Sequence, residues 1–232
     1  MLLTTVPALA FGTNCYLLAP AEGEECVIVD PGIGVEDRIT EALRRHRLRP
    51  AAVLLTHGHV DHVYAVTPVC GGTLAAHIHG DDRYRLRDPL AGHEDLVRAL
   101  EQHFGSSARW SEPEHVVELV DGQQLDLAGL RLGVRHAPGH TEGSVLFTLD
   151  GVPTGVSGPA AEELDRTVLS GDVLFAGSIG RTDLPGGDPA AMQRSLREVV
   201  LPLADSTLVL PGHGGVTTMA RERRTNPYLQ GL

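Results

Sequence analysis

The chain contains no lysine; all 19 of its basic residues are arginine. Chemistry that runs through a lysine Schiff base or a lysine clamp on a substrate carboxylate is therefore excluded. Positive charge is also outweighed, since 30 Asp and Glu give a formal net charge of −11. Attraction to a phosphate backbone draws on clustered cations that release counterions, so nucleic acid is not an expected partner. Cysteine is sparse: Cys15, Cys26 and Cys70 form an odd, widely spaced set without a C-x-x-C pair. No disulfide framework follows, and a reducing cytoplasm is the expected compartment. The run Met1 to Pro7 carries no basic residue and is too short for a signal peptide or a membrane span, so it reads as a first strand and no membrane is expected as a partner. Neither an internal repeat nor a low-complexity tract is present. The 232 residues, 42% hydrophobic and 21% charged, suit one domain over 1–232 that buries its core without disulfides.

Short apolar runs bounded by turn formers predict strands. Asn14 to Ala19 and Cys26 to Asp30 suggest a hairpin, and Ala51 to Leu55 a buried strand that follows a surface helix over Val35 to Arg47. Gly80 to His115 is more polar, with helical spacing only around Leu96 to Phe104, and is expected to form a cap or insertion over the site. Val116 to Val120, Gln124 to Leu127, Leu130 to Arg135 and Ser144 to Leu149 then read as a second β-rich half. Gly151 to Glu163 reads as a loop, Pro189 to Val200 as a helix capped by Asp188, and Thr207 to Leu210 as another buried strand.

Chemistry concentrates in Thr56-His57-Gly58-His59-Val60-Asp61-His62, which places three histidines and a carboxylate directly after an apolar run. Imidazole and carboxylate suit Zn, Fe or Mn, and alternate side chains on an extended loop can converge on one ion while their neighbours reach a second. Gly58 leaves room for a tight backbone. His140, Asp172 and His213 each follow an apolar run and a turn, Pro138-Gly139, Ser170-Gly171 and Pro211-Gly212. Ligands on loops at strand ends let a rigid sheet set the distances. A lone histidine after a strand is more often a solvent-facing residue, so these three gain weight only jointly with the dense motif.

The pattern T-H-x-H-x-D-H followed by separate His, Asp and His resembles the metallo-β-lactamase superfamily, and the seven-residue set is similar to glyoxalase II. Thr13-Asn14-Cys15-Tyr16, Asp30-Pro31-Gly32, Gly180 to Asp188 and Asn226-Pro227-Tyr228-Leu229 resemble its short bacterial forms. The resemblance spans nearly the whole chain. It implies an α/β (α+β) fold, an αββα sandwich with the site at one edge of two packed sheets. It further implies two divalent metal ions, zinc foremost with iron or manganese as alternatives: the first held by His57, His59 and His140, the second by Asp61, His62 and His213, with Asp172 bridging. Only 19 residues follow His213, so the helical C-terminal domain with which typical glyoxalase II holds glutathione is not expected.

The implied activity is hydrolysis of a small-molecule thioester of a small thiol. Two cations lower the pKa of a shared water and supply a metal-bridging hydroxide, Asp61 orients that water and accepts its proton, and the thiol departs as thiolate without an acid. A mononuclear iron persulfide dioxygenase is the alternative, and a lactonase a further one. A structural zinc centre is disfavoured, because structural zinc prefers closed, cysteine-rich sets. His77-Ile78-His79 has metal-like spacing but no evident Asp or later partner, and is expected in a turn or on the rim. His136 is a candidate to support a ligand. His46, His93, His103 and His115 are expected to face solvent, and Arg181 with Asp183 to form an ion pair from which Asp183 supports a histidine.

Overall fold

The computed structural model describes residues 1–91, 94–104, 110–155 and 163–232. His93, the side chain of His103 and most of the loop expected over Gly151 to Glu163 lie outside the described residues.

The N-terminal apolar runs become β1 (Leu2–Pro7), β2 (Asn14–Ala19) and β3 (Glu25–Val29), successive antiparallel partners. Helix α1 (Glu36–His46) then returns the chain so that β4 (Arg49–Leu54) lies parallel to β3. Its first turn carries Glu36 and Asp37 and its last turn Arg44 and Arg45, charges that complement the helix dipole. Two short helices, α2 (Val60–Val63) and α3 (Val66–Cys70), lead to β5 (Ala76–His79), parallel to β4. A 3-10 segment Gly80–Leu86 and α4 (Glu94–Phe104) follow. Strand β6 (Val116–Leu119) is parallel to β5 and closes the first sheet, order β1-β2-β3-β4-β5-β6. The sequence pattern placed Val116 to Val120 with the second half; a parallel partner reached through a long excursion leaves no local hairpin signal.

The second sheet comprises β7 (Gln124–Leu127), β8 (Leu130–His136), β9 (Val145–Asp150), β10 (Arg166–Gly171), β11 (Thr207–Pro211) and β12 (Thr217–Thr218), in the order β12-β11-β10-β9-β8-β7. Helix α5 (Pro189–Ser195), capped by Asp188 as expected, continues through a wide turn Leu196–Val200, and α6 (Met219–Thr225) follows β12.

Alternation along the strands sorts the apolar residues into layers. Leu18, Val29, Leu54, Val134, Phe147, Leu169 and Leu210 interlock between the sheets. Cys15, Leu17, Ile28, Val53 and Ile78 face the other way, onto Ile39 and Ala42 of α1 and Val66 of α3. Leu146, Val168 and Val209 pack on Met192, Leu196 and Met219 of the last helices. Helix, sheet, sheet and helix thus stack as the expected αββα sandwich. A smaller cluster of Ile33, Val60, Tyr64 and Leu100 seats α4 against α2. Among the described residues, no helix is long and apolar enough to cross a membrane.

Candidate metal centre

The centre forms where the two sheets present their loops at one edge. After β3, Asp30 takes a left-handed φ of 50°, which aims its carboxylate at the neighbouring loop. It accepts hydrogen bonds from Thr56 N at 2.8 Å and Thr56 Oγ1 at 2.6 Å, and lies 2.9 Å from His62 Nδ1. From the second sheet, His140 follows β8, Asp172 follows β10 and His213 follows β11.

Each imidazole is oriented by the nitrogen it turns away from the centre. His57 Nδ1 is 3.1 Å from Thr56 Oγ1, His62 Nδ1 meets Asp30, His140 Nδ1 lies 2.8 Å from Arg181 O, and His213 Nδ1 lies 3.2 Å from Phe11 O. Their Nε2 atoms point inward, and His59 contributes Nδ1, 2.8 Å from His140 Nε2. His62 Nε2 is 3.3 Å from Asp172 Oδ1 and 3.6 Å from Asp61 Oδ2; His213 Nε2 is 3.1 Å from Asp61 Oδ2; His140 Nε2 and His213 Nε2 are each 3.5 Å from Asp172 Oδ2.

These separations match the chemistry of a metal cradle. Donors about 2.0 to 2.2 Å from one tetrahedral ion stand roughly 3.3 Å apart, and the observed spacings bracket that value. The donors fall into overlapping groups: His57, His59 and His140; His57, His62 and Asp172; and Asp61, His62 and His213. Buried His57 Nε2 and Asp172 Oδ1 have no hydrogen-bond partner. Orphaned buried polar atoms are costly, and a cation between the groups would satisfy both.

Charge divides the histidines into two sets. Burial pulls His57 well below its ordinary pKa and His59 down to about 3, helped by neighbouring imidazoles, and His140 is also lowered by burial. These three rings are thereby held in the neutral form. Burial pulls on His62 and His213 as well, but the carboxylates outweigh it: Asp172, Asp61 and Asp30 raise His62, while Asp61 and Asp172 raise His213. Asp61 and Asp172 are lowered despite burial by those same imidazoles.

Behind the donors lie residues that hold the loops together. The fully buried Asp82 carboxylate accepts from Gly58 N at 2.7 Å, Thr141 Oγ1 at 2.7 Å, Gly143 N at 2.9 Å and Arg85 Nε at 3.3 Å, stitching the His57–His59 loop to the His140 loop. Sequence reading missed Asp82; its only signal was an Asp-Asp pair after a histidine-rich strand. Thr13 Oγ1 donates to Asp61 Oδ2 at 3.0 Å, and Asn14 Nδ2 donates to Pro211 O and Gly214 O around His213. Those bonds explain the Thr-Asn-Cys-Tyr segment. Asn226, fully buried, donates to Ser178 O at 3.0 Å and Glu222 Oε2 at 2.9 Å, and Glu222 also accepts from Gly177 N at 2.7 Å. The loop after Asp172 is thereby tied to α6. Gly212 has no room for a side chain: a Cβ there would run into Asp172 Oδ1 and approach His62 Cε1 at 2.7 Å. At Gly58 it would stand 2.7 Å from Arg85 Cβ.

Four expectations need correction. Arg181 and Asp183 do pair at 2.7 Å, but His140 is held by the Arg181 carbonyl rather than by Asp183, whose carboxylate is engaged by the guanidinium. His77 and His79 lie buried in β5, not in a turn, and His79 meets both an Asp and a later histidine, Asp81 and His136. His136 supports no ligand directly; its Nε2 lies 2.8 Å from Glu142 O. His115 is exposed as expected, whereas His46 is partly covered and lies 2.9 Å from Glu22 Oε1.

The family model of the metallo-β-lactamase superfamily matches residues 8–165. The chain belongs to that superfamily, a class of metal-dependent hydrolases. A relative from Haemophilus influenzae, hydroxyacylglutathione hydrolase GloC, is 33% identical over 231 residues, covering 97% of this chain and 96% of the relative. Among solved structures, BLEG-1 B3 metallo-β-lactamase superposes with a TM-score of 0.78 at 33% identity, covering 99% of this chain and 100% of that one. The protein TTHA1623, solved in a di-iron-bound form, gives a TM-score of 0.74 at 35% identity over 97% of this chain and 100% of its own.

Proposed function

We propose that the chain is a thioester hydrolase, glyoxalase II-like, acting on the ester of a small thiol with two divalent ions held by His57, His59, Asp61, His62, His140, Asp172 and His213. The convergence of these donors, with His57 Nε2 and Asp172 Oδ1 left without a hydrogen-bond partner, carries the metal reading. The likeness to hydroxyacylglutathione hydrolase GloC over nearly the full length of both chains supports the substrate class. Zinc suits the nitrogen-rich groups, and the di-iron form of TTHA1623 keeps iron as the alternative.

When bound, such a pair of ions lowers the pKa of a shared water toward neutrality and polarises a carbonyl. The protein's own groups do the rest. His57, His59 and His140 form one half of the cradle, Asp61, His62 and His213 the other, and Asp172 spans them with one oxygen 3.5 Å from both His140 Nε2 and His213 Nε2. Asp61 is kept ionised by His62 and His213 and oriented by Thr13 Oγ1, so it is placed to hold a water proton as that water attacks the acyl carbon. The carbon–sulfur bond breaks and the sulfur leaves as thiolate, its pKa near ~8.5 removing the need for a protonating acid. The active-site loops need no disulfide: Cys15, Cys26 and Cys70 are buried and unpaired, which supports a reducing cytoplasm.

The test is thiol release from S-lactoyl thioesters by protein loaded with zinc or iron, with chelated protein as control. Metal-dependent turnover is expected. Absence of turnover with every thioester, combined with oxygen uptake on a persulfide by an iron-loaded sample, would replace this reading with the persulfide dioxygenase; turnover of lactones alone would replace it with a lactonase.

A further inference from the structure

The structure assigns a second, separate divalent-cation site to His79, Asp81 and His136, at the seam where β5 of the first sheet meets the end of β8 of the second. One nitrogen of each ring and a carboxylate oxygen of Asp81 all lie within 4.8 Å of one another. His79 Nδ1 is 3.7 Å and His136 Nε2 3.9 Å from Asp81 Oδ2. None of the three belongs to the seven-residue centre. Two imidazoles and a carboxylate are a borderline donor set, suited to zinc, nickel or copper(II), with the remaining coordination completed by water because Asp81 is 60% exposed.

The surroundings favour a cation. Asp121 Oδ1 accepts from His136 N at 2.9 Å, and Glu118 reaches toward Gly80, its Oε2 3.2 Å from where a Cβ on that glycine would stand. Neither Asp81 nor Asp121 has an arginine partner among the described residues, and the chain has no lysine to supply one. The two rings are stacked, centroids 3.9 Å apart at 12°, so loading requires them to fan open. His136 can do this, because it ends its strand and its side chain is partly exposed. Ligation through the Nε2 facing Asp81 also takes that nitrogen from Glu142 O, which it now meets at 2.8 Å. Glu142 lies two residues from His140, and its carboxylate accepts from Arg85 Nη2 at 2.8 Å. Filling the outer site therefore removes one contact from the segment that carries His140.

The test is a zinc titration of the whole chain, first loaded and desalted, with a chromophoric chelator as competitor. Wild type is expected to take one more equivalent than Asp81→Asn or His136→Gln, with at least tenfold weaker binding of that extra ion in either variant. Asp81→Asn is the safer probe, since its exposed carboxylate faces only the two imidazoles. The comparison is a difference between proteins, so it stands whatever the inner centre holds or hydrolyses. With the inner centre first filled with zinc, one equivalent of copper(II) should show hyperfine coupling to two ring nitrogens in wild type and to one fewer in His136→Gln. Equal stoichiometry and affinity in wild type and Asp81→Asn would overturn the assignment.

Discussion

Replacing Asp82 by Asn tests whether the two ligand loops are held by one carboxylate. Its Oδ2 accepts from Gly58 N and Thr141 Oγ1, and its Oδ1 from Gly143 N and Arg85 Nε. An amide keeps one oxygen: with its NH2 group toward Gly143 N and Arg85 Nε both bonds are lost, and flipped it loses Gly58 N while the Thr141 hydroxyl can turn to accept. Hydrogen bonds to charged groups are worth about 1.5 to 3 kcal/mol each, so losing one or two of them destabilises the protein by about 1.5 to 6 kcal/mol. Gly58 sits between His57 and His59, and Thr141 adjoins His140, so the same change should weaken metal binding at the His57, His59 and His140 group by about 10- to 100-fold, the usual cost of losing a ligand-orienting contact. Urea unfolding of chelated protein reads the first effect. Competitive metal titration well below the unfolding midpoint reads the second. A variant within about 0.5 kcal/mol of wild type and with unchanged metal affinity would refute the idea that Asp82 positions the loops.

Three further outcomes are expected. Because His62 and His213 are raised while His57, His59 and His140 are lowered, protons compete for the Asp61, His62 and His213 group at higher pH; as pH falls that group should release its ion first, and metal analysis after stepwise dialysis showing simultaneous or reversed release would contradict this. Gly212→Ala should weaken metal binding at least about tenfold, since the added methyl runs into Asp172 Oδ1; an isothermal titration matching wild type would count against it. Asn226→Ala strips the bond to Ser178 O and the bond to Glu222 Oε2, costing about 2 to 4 kcal/mol; a urea midpoint equal to wild type would show that the loop is held otherwise.

Most strands and the ligand loops were legible because their signals are local: apolar runs bounded by Pro-Gly and Asp-Gly turns, and histidines packed into six consecutive residues. What was illegible depends on distant partners. Strand β6 joins the first sheet by a parallel pairing with β5 that spans the residues of α4, and nothing in Val116 to Val120 marks that choice. Asp82 reads as one of two adjacent carboxylates; that it is buried beneath Gly58 and Gly143 is decided by the packing of both sheets. The His79 and Asp81 pair had no visible third member because His136 lies far along the chain on the opposite sheet.

The distribution of charge at the centre explains why so much polar material tolerates burial. Asp30, Asp82 and Asp172 are each less than a tenth exposed, and the side chain of Asp61 is 18% exposed, so four carboxylates crowd one edge of the sandwich. Arg85 answers only one of them directly, through Asp82. Unpaired buried carboxylates would be prohibitively costly, and the protein's partial answer is to draw His62 and His213 toward protonation. Two dications in place of those protons would more than offset the three carboxylates that Arg85 leaves unanswered, leaving room for one bound anion, satisfy His57 Nε2 and Asp172 Oδ1, and return both imidazoles to the neutral form that ligation requires. The carboxylates that would be costly to bury without a counter-charge thus favour doubly charged ions over protons at this edge.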